Sequence, residues 1–124
     1  MNNKTSFKEL VVWQKGVELA KEMYRTAQLL PNHELFGLRS QMCRAAVSIP
    51  SNIAEGQKRK TMKDFEQFLR IAYGSTAELE TQIIIAESVY PDISFSRTKE
   101  LLEEIQRMIP ALIRKLQPSP AINY

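Results

Sequence analysis

Four cations fall within six residues at Lys58, Arg59, Lys60 and Lys63. Lysines and arginines this close together can neutralise several phosphates at once, so the chemistry they suit is the binding of a polyanion. No aromatic residue alternates with them, which leaves nucleobases without a stacking platform. Binding here would be electrostatic and would read little sequence. A solvated basic loop is the competing reading of the same run. Arg39 and Arg44, further upstream, either extend the patch or pair with acidic neighbours.

The remaining reactive side chains build no catalytic or metal site. His33 is the single histidine and Cys43 the single cysteine, whereas zinc requires clustered ligands of these types. With no histidine spaced to activate it, Cys43 reads as a small buried filler, and a lone cysteine excludes an internal disulfide. His33 falls in a turn, where a solvated or capping role suits it. Glu78 and Glu80 stand two apart on a helix and point to different sides, while Glu103 and Glu104 sit within reach of Arg107. A di-iron bundle needs two Glu-x-x-His pairs, and the chain has none. Gly56 is isolated and lacks the further glycines of a phosphate loop. These patterns predict a protein that is not an enzyme and holds no metal or cofactor.

The elements that position the cations are helices. Phe7 to Leu30 forms the first, with Leu10, Trp13, Val17, Ala20, Tyr24 and Ala27 at alternating steps of three and four. Pro31 ends it. The second spans about 34–55 on a face of Leu38, Met42, Ala45, Ile49 and Ile53, with Gly56 as its expected C-terminal cap. Pro50 interrupts that helix, costs about 3 kcal/mol or more, and predicts a kink. Thr61 and Asp64 read as the start of a third helix over 62–89. A fourth spans 96–116 and contains Pro110, while residues 117–124 lack periodicity and read as a mobile tail. With 124 residues and no strand alternation, the chain predicts one domain, an all-α antiparallel up-down four-helix bundle.

Apolar residues exceed what four seams require. On the first helix a second stripe of Val12, Gly16, Leu19, Met23, Thr26 and Leu30 runs beside the assigned seam. Ile71, Tyr73, Gly74, Ile84 and Ile85 lie off the seam of the third. Val12, Leu19, Met23 and these five residues are therefore the expected interface between copies of the chain. Charge is also uneven. The formal net charge of +3 divides into an excess of cations in residues 1–63 and of carboxylates in 64–124, which favours a basic surface on one part of the fold. No 18-residue apolar run or signal-peptide core is present, so the expectation is a cytoplasmic chain that does not enter a membrane.

Several motifs together carry a family resemblance: Val12-Trp-Gln-Lys15, Phe36-Gly-Leu38, Arg44-Ala-Ala-Val-Ser-Ile-Pro-Ser-Asn-Ile-Ala-Glu-Gly56, Phe68-Leu-Arg-Ile-Ala-Tyr-Gly-Ser75 and Glu78-Leu-Glu-Thr-Gln82. The chain resembles the bacterial four-helix bundle proteins encoded in intervening sequences of 23S ribosomal RNA genes, over roughly Phe7 to Leu116. The resemblance implies a homopentameric ring. It also implies kinship with the accessory variability determinant of diversity-generating retroelements, which binds nucleic acid and partners a reverse transcriptase. It carries over no catalytic residue. A ring of five such chains would hold about +15, from +3 each. Two functions follow as expectations: an oligomeric accessory protein that binds RNA or DNA, or a protein-interaction scaffold that binds neither.

Overall fold

A computed structural model describes residues 6–117, so the expected mobile tail lies outside the described residues except for Gln117. Four helices follow in order: α1 (Val11–Ala27), α2 (Leu38–Gln57), α3 (Met62–Val89) and α4 (Ser96–Leu116). Among the described residues there is no strand. Single 3-10 turns at Phe7–Glu9 and Asn32–Glu34 precede α1 and α2. Each helix packs against two neighbours, in the pairs α1–α2, α2–α3, α3–α4 and α4–α1, with none across the diagonals. Contacts between neighbours fall on one helix as they rise on the other. Gly56 meets Phe68 while Ser48 meets Ser75, and Glu87 meets Lys99 while Glu80 meets Gln106. This is the up-down antiparallel bundle that the periodicity predicts.

The boundaries of α3 and α4 match the sequence reading, and capping chemistry marks those of α3. Thr61 Oγ1 accepts the Asp64 N–H at 3.1 Å, and Pro91 follows directly on the Tyr90 cap. Earlier boundaries are corrected. Extended backbone at Leu10 divides the Phe7 turn from α1, which stops at Ala27 rather than Leu30. The second helix begins at Leu38, and it passes through Gly56 to Gln57 without a left-handed glycine. Gly56 is thus a site of close helix approach, not a cap.

The core centres on Leu19, Met23, Met42, Ile49, Ile53, Leu69, Leu79, Ile83, Leu101, Ile105 and Ile109, each at most 1% exposed. The α2 face is the expected one. On α1 the second stripe forms the core, while of the expected seam Ala27 is fully buried and Leu10, Trp13 and Ala20 pack against the core from its edge. Val12, Leu19 and Met23 are 4%, 0% and 0% exposed inside the single chain, so they cannot form an interface between copies. Val17 and Ala20 are half-buried and Tyr24 is exposed, on the side of α1 that meets the outer edge of α2. The packing of Gly16 fixes this rotation. A Cβ there would stand 3.1 Å from the Pro50 Cβ, so glycine lets α1 lie against the proline ring. Helix α2 runs unbroken through Pro50, and α4 through Pro110.

Candidate nucleic-acid interface

The end of α2, the 58–61 connection and the first turn of α3 carry Lys58, Arg59, Lys60 and Lys63 to one pole of the bundle, all exposed. The four-residue connection is possible because the helices nearly touch. A Cβ at Gly56 would lie 2.6 Å from the Phe68 Cβ and 3.1 Å from Phe65 Cδ1.

Antiparallel topology brings further cations to the same pole. Lys8 precedes α1, while Arg114 and Lys115 occupy the last turn of α4. Lys115 lines a surface hollow with Leu10 and Val11, and Lys58 Nζ stands 5.9 Å from the centre of the Phe7 ring. The start of α1 is therefore flanked by the basic ends of α2 and α4. Glu9, Glu55, Asp64 and Glu66 are the nearby carboxylates in sequence, too few to balance these cations, and Glu66 pairs with Arg70. Composition hides Lys8, Arg114 and Lys115 from a motif search, since they join the cluster only through chain direction.

The cations at the pole are engaged to different degrees. Arg59 bonds Glu55 at 2.9 Å and lies 4.8 Å over the Phe68 ring, which orients it and uses part of its charge. Lys60 and Lys63 have no ion-pair partner among the described residues.

Arg39 and Arg44 do not belong to this surface. At 1.5 Å per residue, they stand about 28 and 21 Å from Lys58 along α2. Arg39 is half-buried and donates to the Ala27 carbonyl at 3.1 Å and the Leu30 carbonyl at 2.9 Å. Its fork therefore clamps the last carbonyl of α1, which also accepts the Leu30 N–H, and the Leu30 carbonyl of the turn that follows, where the helix dipole also favours a cation. Arg44 is exposed, makes no ion pair among the described residues, and borders a hollow shared with Leu35, Phe36 and Cys43.

At the opposite pole, the Tyr90 hydroxyl donates to Glu34 Oε2 and lies 3.2 Å from His33 Nε2. Glu34 also accepts the Leu38 N–H at 3.0 Å, which anchors the start of α2. The Tyr90 bond first and the Leu38 bond second hold the Glu34 carboxyl below its usual range, while Glu34 pushes the Tyr90 phenol up. Burial pushes the Cys43 thiol up despite nearby Arg39, so it stays protonated at neutral pH. Among the described residues no three of His, Cys, Asp and Glu converge on a point that could hold a metal ion. No described helix is long and apolar enough to cross a membrane.

The remaining interface candidates on α3 are exposed: Ile71 at 47%, Tyr73 at 44%, Ile84 at 57% and Ile85 at 48%. Gly74 is exposed as well, and a Cβ there would meet nothing within 4 Å.

A model of the family described as 23S rRNA-intervening sequence protein matches residues 8–111. Among solved structures, the chain is similar to a protein of unknown function from the S23 ribosomal protein family of Bacteroides thetaiotaomicron VPI-5482. That similarity has a TM-score of 0.73 at 23% identity and covers 84% of this chain and 99% of the other. Among curated proteins no match is found.

Proposed function

The chain belongs to the 23S rRNA-intervening sequence protein family, and from that premise we propose that it is a non-enzymatic, self-associating accessory protein that binds RNA through its basic pole. The observation that carries this reading is the convergence of Lys8, Lys58, Arg59, Lys60, Lys63, Arg114 and Lys115 on one end of the bundle. Such a surface contacts phosphate rather than base edges, so it binds with little regard to sequence. The pole of one chain is small, and copies held together present several at once, which raises avidity without any new contact. No catalytic step enters this reading.

Lys60 and Lys63 test it, since neither has an ion pair to lose among the described residues. Replacing both by Glu should weaken binding of a labelled RNA in fluorescence anisotropy by ten-fold or more, with helix content unchanged. Raising salt from 50 to 200 mM should weaken the native protein by about 10³-fold if roughly six phosphates are engaged. Equal affinity of the native and doubly substituted proteins would remove the pole from the binding surface.

The apolar hollow bordered by Phe36 favours a second reading, a scaffold that captures protein alone. A native protein with no measurable RNA affinity at low salt would select it.

A further inference from the structure

The outer side of the α1–α2 pair carries two adjoining hollows. One, of about 420 Å³, is lined by Val17, Ala20, Val47 and Pro50 among others, and the next, of about 710 Å³, by Leu35, Phe36 and Cys43 among others. Tyr24 and Val47 line both, so the two form one apolar trough along the bundle. Phe36 stands at its end, 91% exposed. The charged residues of the trough are Lys21, Arg25, Arg39 and Arg44, and no carboxylate lines either hollow. Arg25 is paired with Glu22 and Arg39 with the Ala27 and Leu30 carbonyls, which leaves Lys21 and Arg44 to meet an occupant that is apolar with an acidic flank.

The chain itself carries such a surface on another side. The outer face of α3 exposes Tyr73, Ile84 and Ile85, and from Ile71 to Val89 this helix carries no Lys or Arg. Glu80 and Glu87 turn toward α4, where they bond Gln106 and Lys99, which leaves Glu78 as the exposed carboxylate of this stretch with no ion-pair partner among the described residues. Gly74 lies at the middle of this face, one turn from Glu78. A mid-helix glycine costs about 1 kcal/mol relative to alanine, and nothing within the subunit comes near enough to need it. A helix-on-helix approach from outside is what a bare backbone at that point would admit.

We propose that the α1–α2 trough of one copy receives the outer α3 face of a second copy, with Arg44 opposite Glu78. This assigns the contact surfaces of the self-association on which the proposed function rests. The two surfaces differ and lie on different sides of the bundle, so the contact is heterologous. It leaves a free trough at one end and a free α3 face at the other until a ring closes.

Charge exchange tests the pairing. Light scattering on the native protein at micromolar concentration should give a multiple of the 14.3 kDa chain mass. Arg44→Glu and Glu78→Arg should each shift the mass toward a single chain, and the double exchange should restore it. Gly74→Leu should also give single chains with unchanged helical circular dichroism, because the added side chain meets nothing inside the subunit. A native protein that weighs one chain at every concentration would overturn both this contact and the self-association beneath it. Native-like assembly of Gly74→Leu, or failure of the double exchange to recover mass, would overturn this contact and leave self-association standing.

Discussion

Glu34 ties the approach to α2 to the end of α3 through the Leu38 N–H and the Tyr90 hydroxyl. Its carboxyl is held below the usual range in the folded state, so the unfolded chain binds more protons as pH enters that range. The stabilisation is complete above the unfolded value and is lost as pH falls through the folded one. Thermal melts from neutral to acid pH should therefore show a smaller loss of Tm in Glu34→Gln than in the native protein. Parallel slopes would remove Glu34 from the acid response. The sequence gives no hint of this link, because 56 positions separate Glu34 from Tyr90. Arg39 misleads for a related reason. Its charge is visible in a sequence, whereas the Ala27 and Leu30 carbonyls it clamps appear only once α1 ends beside α2.

Helix α1 carries two apolar stripes of similar periodicity, and spacing alone does not say which one turns inward. Contact between Gly16 and Pro50 settles the rotation, and it places Leu19 and Met23 inside while Tyr24 stays outside. The extent of α3 is legible because Thr61 and Pro91 act locally, through a cap and a missing N–H. Gly56 looked like a terminal glycine for the same local reasons, yet its role is to let α2 approach Phe65 and Phe68. Gly56→Ala should lower stability by about 1–3 kcal/mol from overpacking, set against about 1 kcal/mol gained in helix propensity. Urea unfolding should show a lower midpoint for this variant, and a midpoint at or above the native one would mean that α2 and α3 separate easily. The same change at Gly74 meets open space and carries no such penalty within the subunit.

The basic pole is a property of the whole molecule. Its centre at Lys58 to Lys63 is legible as a run of residues, but Arg114 and Lys115 reach it only because four antiparallel helices bring α4 back beside the start of α1. Replacing both Arg114 and Lys115 by Ala should weaken RNA binding and flatten its salt dependence. The slope of log K against log salt should fall by roughly 0.7–0.9 for each phosphate contact removed. An unchanged slope would confine the surface to the α2–α3 junction. The even number of helices has a practical consequence for anyone handling this protein. Residues 6 and 117, the two ends of the described chain, emerge at the same pole as the cationic surface. A reporter inserted in the 91–95 connection, at the far end of the bundle, would leave that surface clear.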